Sequence, residues 1–86
     1  MNRAASAEPI RVLLFAGLRE TAGWAEVSWP AAAGEATLTP RAIWSGLELP
    51  GSLKEVRVAI NQRFADADTP LRSGDELAFL PPISGG

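Results

Sequence analysis

Four short apolar stretches stand two on each side of a single strong helix signal, an arrangement that leaves this chain little choice beyond one small sheet packed on one helix. The first stretch, PIRVLLFA, sets β-branched and large apolar residues behind a proline and is too short for an amphipathic helix. LRETAG after it reads as one helical turn closed by Gly23. WAEVSW then alternates Ala25, Val27 and Trp29 with Glu26 and Ser28, as a strand does. The helix signal is LTPRAIW: Thr39 can cap, Pro40 suits the first helical position, and Leu38 can staple against Ile43. Gly46, then Pro50 and Gly51, should end this helix within a few turns. VRVAINQ forms a third strand, RFADADTPLRSGD a turn-rich connection with one strand-like contact around Phe64, and ELAFL the last strand. The expected fold class is therefore α+β in two layers, a mixed four- to five-stranded sheet with one main helix, its first and last strands adjacent and parallel. Residues 1–8 read as a loose lead-in, 9–80 as the domain and 81–86 as an extended tail. No internal repeat or low-complexity tract is present.

Strand alternation also tells which face the helix covers. Ile10, Val12 and Leu14 share a face, and Arg11 marks the opposite face as the open one. Val56, Val58, Ile60, Leu77 and Phe79 should then point inward. Leu13, Phe15, Ala59, Ala78 and Leu80, joined by Phe64, should form an apolar patch on the open face, of the kind that marks partner sites, unless residues 1–9 or a loop fold back over it.

Composition narrows the chemistry. A chain of 86 residues makes one domain, burying about 60–65% of its unfolded surface. Eight Lys and Arg against ten Asp and Glu give a net charge of −2 without a basic stripe, so nucleic acid is not an expected partner. The apolar run near the N-terminus lacks the layout of a signal peptide and the length of a membrane span, which points to a cytoplasmic protein without membrane contact. Neither Cys nor His occurs, which removes disulfides, thiol nucleophiles, imidazole bases and the usual soft metal sites. Asp66 and Asp68 read as turn residues rather than a catalytic pair, RSGDE as a tight turn with Gly74 at positive φ and Asp75 and Glu76 solvated, and Lys54 as a loop residue.

What remains is the end of the chain, LAFLPPISGG. Pro81 and Pro82 stiffen the exit from the last strand, and two glycines without Cβ let backbone pass a narrow channel, so that another protein's active site can reach the Gly86 carboxyl carbon. Two final glycines arise by chance in about 0.5% of chains, so the pair needs its neighbours to carry meaning.

Those neighbours, VLLFAGLRE, VAINQ and PLRSGDELAFLPPISGG in that order, resemble the MoaD/ThiS-like family of ubiquitin-like sulfur carriers, in particular the molybdopterin synthase small subunits. The resemblance covers Arg11 to Gly23 and Val56 to Gly86, roughly half the chain. The segment between departs from the family pattern, where a longer helix is expected. The resemblance implies a β-grasp fold and a chain that is not catalytic on its own. It also implies that Gly86, preceded by Gly85, is adenylated by a ubiquitin-activator-like adenylyltransferase that consumes ATP, and then converted to a thiocarboxylate with sulfur from a donor protein. The tail would insert into a large synthase subunit, within a heterotetramer of two small and two large chains. There the thiocarboxylate would supply dithiolene sulfur to cyclic pyranopterin monophosphate in molybdenum cofactor biosynthesis. Phe15, Arg19, Phe64 and Leu80 match the family's docking positions, with Pro81, Pro82 and Ile83 continuing the contact along the tail. No bound cofactor or metal is implied. Related carriers serving thiamin, cysteine or tRNA thiolation share the fold and the glycines, as do ubiquitin-like modifiers joined to lysines.

Overall fold

The computed structural model describes residues 8–31 and 38–81. Chain order is β1 (Ile10–Leu14), α1 (Ala16–Ala22), β2 (Glu26–Trp29), α2 (Pro40–Leu47), a 3-10 turn at Leu53–Glu55, β3 (Arg57–Ile60), β4 (Arg63–Phe64) and β5 (Glu76–Leu80). The five strands form one mixed sheet in the order β2-β1-β5-β3-β4. The first and last strands meet in parallel at its centre, Val12 beside Leu77 and Leu14 beside Phe79, and every other pairing is antiparallel. Parallel neighbours need a crossover, because a two-residue turn cannot reverse the chain twice. Here the intervening elements supply it, and α2 packs across one face.

That face is the one expected. Ile10, Val12, Leu14, Val58, Leu77 and Phe79 form the core with Ile43 and Trp44 of α2, while Val56 and Ile60 pack at its margin. Trp44 meets Phe79 edge to face, ring centroids 5.0 Å apart at 62°, a geometry the aromatic quadrupoles favour. Each such large side chain, fully buried, contributes about 1.5–3 kcal/mol.

The start of α2 is the one its residues specify. Thr39 Oγ1 accepts the Ala42 backbone N–H at 3.2 Å and Pro40 occupies the first turn. Its end comes before Pro50, as expected, but not at Gly46. The helix runs through Gly46 to Leu47 and stops where Glu48 turns left-handed at φ 57°. Gly46 is there for packing: a Cβ on it would lie 2.6 Å from Cη2 and 3.0 Å from Cζ2 of Trp29. The Trp29 indole of β2 thus rests on bare helix backbone. A second difference is α1, expected as one turn and found as seven residues, closed as anticipated by Gly23 at φ 85°, whose N–H reaches the Arg19 carbonyl at 2.9 Å.

Candidate docking face

The sheet surface away from α2 is built in rows set by strand register. One row crosses all five strands: Glu26, Leu13, Ala78, Ala59 and Phe64. Toward the strand ends nearest the tail lie Leu80 and its partner Arg57 on β3, with Phe15 capping α1 just past β1. Toward the other end, Arg11 and Glu76 sit side by side and form an ion pair of 2.7 Å.

Ala59 and Ala78, expected as exposed members of the apolar patch, are buried. A methyl group cannot rise past the large side chains beside it, so the two alanines become a floor. Phe15, Phe64, Leu80, Gln62 and Glu76 stand around that floor and enclose a depression of about 220 Å³. Phe15 is 44% exposed and Phe64 68% exposed, a large outlay of aromatic surface for an 86-residue chain.

The wall carrying Phe64 is held by a polar clasp that the sequence did not reveal. Asn61 and Gln62 form a two-residue loop between β3 and β4, Ile60 pairing with Arg63, with φ of 52° and 70°, the backbone sign that matches strand twist in tight hairpins. Asn61 tolerates this conformation and uses its side chain as well. Its Oδ1 accepts the Glu76 N–H at 3.0 Å, its Nδ2 donates to Asp75 Oδ1 at 2.9 Å, and its own N–H reaches the Glu76 carbonyl at 2.8 Å. Asp75 Oδ2 in turn accepts the Arg72 N–H at 2.8 Å, across the turn where Gly74 adopts φ 84°. Asp75 and Glu76 are therefore half-buried, engaged groups rather than solvated ones. INQ and GDE pin the β3–β4 hairpin to the start of β5. The one available signal was the Asn at the end of a strand followed by a short strand-like return around Phe64.

Of the residues expected at a partner site, Phe15, Phe64 and Leu80 come together around one depression. Pro81 follows directly, half-buried. Arg19 lies exposed in the last turn of α1 and does not line the depression. Pro82, Ile83, Gly85 and Gly86 lie outside the described residues. Gln62, Glu76 and Arg57 were not anticipated; Arg57 places its guanidinium carbon 5.3 Å from the Phe64 ring centroid.

Other charged groups serve the scaffold. Arg41 grips Asp68 with two hydrogen bonds, 2.7 Å from Nε and 3.0 Å from Nη2. The hydrogen bond from Arg41 is the main cause holding the Asp68 carboxyl below its ordinary range, with the guanidinium charge adding to it, and the Arg41 pKa is raised in return. Asp66 closes a turn through its carbonyl, 3.1 Å from the Thr69 N–H. Lys54 lies in the 3-10 turn that Ser52 caps. Among the described residues no cluster of three or more potential metal ligands occurs, and no helix is long and apolar enough to cross a membrane.

Comparison with known proteins agrees with this architecture. The chain is similar to the molybdopterin synthase sulfur carrier subunit of Arabidopsis thaliana, 36% identical over 85 residues that cover 94% of this chain and 86% of that protein. It is also similar to the corresponding subunit of Escherichia coli, 54% identical over 28 residues that span 33% of this chain and 35% of that protein. Among solved structures, SAMP1 from Haloferax volcanii superposes with a TM-score of 0.67 at 27% identity, covering 90% of this chain and 98% of that one. In the complex of subunits 1 and 2 of the molybdopterin-converting factor from Helicobacter pylori, one chain superposes with a TM-score of 0.59 at 27% identity, covering 90% of this chain and 97% of that chain. The fold is the ubiquitin-like β-grasp of these neighbours. The model of the ThiS family matches residues 12–86, nearly the whole of the sheet, the helices between its strands and the stretch beyond β5, and the chain belongs to that family.

Proposed function

We propose that this chain is the sulfur carrier subunit of a molybdopterin synthase, working through Gly86. The observation that carries the reading is similarity over nearly the full length to a molybdopterin synthase sulfur carrier subunit, in a chain that has no thiol. With no cysteine to hold it, sulfur has its place at the chain's carboxyl end. Attack of the Gly86 carboxylate on the α-phosphate of ATP, in the active site of an adenylyltransferase, would release pyrophosphate and leave an acyl-adenylate. Hydrosulfide delivered by a donor protein would then add to the acyl carbon and displace AMP, which leaves the thiocarboxylate. Glycine at both final positions keeps the approach to that carbon clear of side chains.

The depression between Phe15, Phe64 and Leu80 lies beside the point where β5 ends and the chain runs on through Pro81. A large synthase subunit seated there would hold the carrier while the tail reaches its active site, where thiocarboxylate sulfur passes to cyclic pyranopterin monophosphate. The complex of the two Helicobacter pylori subunits supports a partner of this kind. Intact-mass analysis after incubation with adenylyltransferase, ATP and a sulfur donor should show one oxygen replaced by sulfur. A chain lacking Gly86 should show no change; if it still acquires sulfur, the proposal fails.

Similarity to SAMP1 favours one second reading, a modifier joined through Gly86 to lysines. Isopeptide-linked Gly86 in cell extracts identifies that role.

A further inference from the structure

We propose that Arg57 is a specificity determinant of the docking face, and that the partner segment seated on this face presents an apolar anchor with a carboxylate beside it. The inference rests on the docking reading above and deepens it. Charge along the open face is unevenly compensated. Arg11 and Glu76 neutralise each other at the end remote from the tail. At the end nearest the tail, Arg57 lies beside Leu80 in register, exposed, and forms no ion pair among the described residues. Its guanidinium instead lies over the Phe64 ring.

That placement does two things. A second hollow of about 350 Å³, lined by Arg57, Phe64 and Asp66 among others, has Phe64 as the one lining residue it shares with the depression. Phe64 is thus a partition with open space on both sides, and a partition 68% exposed needs a support. The stacked guanidinium favours the ring position in which Phe64 walls the depression. A planar cation on a ring also keeps its N–H groups free at the edge, where they can take a carboxylate as two parallel hydrogen bonds. An apolar side chain filling the depression would carry neighbouring partner residues over Arg57. A carboxylate there meets the cation, and a lysine or arginine there is rejected, so the charge selects among apolar anchors of similar shape.

The test measures binding of Arg57→Met, Arg57→Lys and Arg57→Glu to the molybdopterin synthase large subunit, at salt from 20 mM to about 1 M. Methionine retains an apolar stem able to pack on Phe64, so Arg57→Met isolates the charge. It should bind about three- to tenfold more weakly at low salt and equal wild type at about 1 M, where the Debye length falls to about 3 Å. Arg57→Glu should be weaker still at low salt. Arg57→Lys should keep the salt dependence, and in the wild type the Arg57 side-chain protons should carry the upfield shift that the Phe64 ring beneath them imposes. A merely structural role would lower stability and leave the salt dependence as it is. Phe15→Asp is the control for the face itself. Loss of binding in Phe15→Asp with Arg57→Met and Arg57→Glu indistinguishable from wild type at low salt overturns the Arg57 proposal and leaves the docking reading standing. Full binding by Phe15→Asp overturns both.

Discussion

Gly46→Ala should destabilise this protein, against the rule for helix interiors, and the reason is one aromatic ring. In an exposed helix alanine is better than glycine by about 0.8–1 kcal/mol. Gly46 lies within α2 and is exposed, so propensity alone predicts a gain of that size. The new Cβ, however, would stand 2.6 Å from Cη2 and 3.0 Å from Cζ2 of Trp29, about 1 Å inside an ordinary carbon contact. Indole is rigid, and Trp29 is half-buried against the core from a strand paired along its length with β1. Relief therefore requires α2 and β2 to separate or Trp29 to leave its rotamer. Overpacking of this kind costs about 1–3 kcal/mol, which exceeds the propensity gain. The net expectation is a loss of about 0.5–2 kcal/mol, or a Tm lower by several degrees in a domain of this size. Urea unfolding followed by circular dichroism measures it. The decisive comparison is the same substitution in a Trp29→Leu background, where the obstructing ring is gone and Gly46→Ala should become stabilising by about 0.5–1 kcal/mol. A stabilising Gly46→Ala in the wild-type background, or the same sign in both backgrounds, would refute the packing argument.

Phe15→Asp or Leu80→Asp should leave circular dichroism and Tm close to wild type, since both residues face away from α2, while weakening calorimetric binding to the large synthase subunit by several kcal/mol, as loss of a central anchor does. Asn61→Ala removes two side-chain hydrogen bonds to the start of β5 and places alanine at φ 52°; a loss of about 1–3 kcal/mol is expected in urea unfolding. Asn61→Gly, which accepts the backbone conformation, should recover part of it. Because the Asp68 carboxyl is held below its ordinary range by the Arg41 hydrogen bond, its contribution to stability should be complete above the ordinary carboxylate pKa and lost as pH falls through the lowered folded value. Asp68→Asn should remove that part of the acid limb, and carboxyl chemical shifts followed by NMR should show Asp68 titrating below a typical aspartate. Both groups are exposed, so the effect should be small and weaken with salt.

The succession of strands along the chain, the identity of the main helix, its capping residues and the covered face of the sheet were all legible in the sequence. They follow from local chemistry: a period of two, a Thr-Pro helix start, and one charged residue, Arg11, that assigns a face. The three aromatic and aliphatic members of the docking depression were legible for the same reason, since a large apolar residue on an open face has no packing role to explain it. Tertiary structure decided what depends on distance between residues remote in sequence. Gly46 reads as a helix stop until the Trp29 ring is seen lying on it, 17 positions away in sequence. Ala59 and Ala78 read as exposed until their neighbours overtop them. Asp75 and Glu76 read as solvated until Asn61, 14 and 15 residues earlier, closes on them. The Arg57–Phe64 stack likewise exists only because β4 folds back on β3. Alternation reports which way a side chain points, a property of its own backbone; what it meets there is set by the register of strands whose pairing the local sequence does not encode.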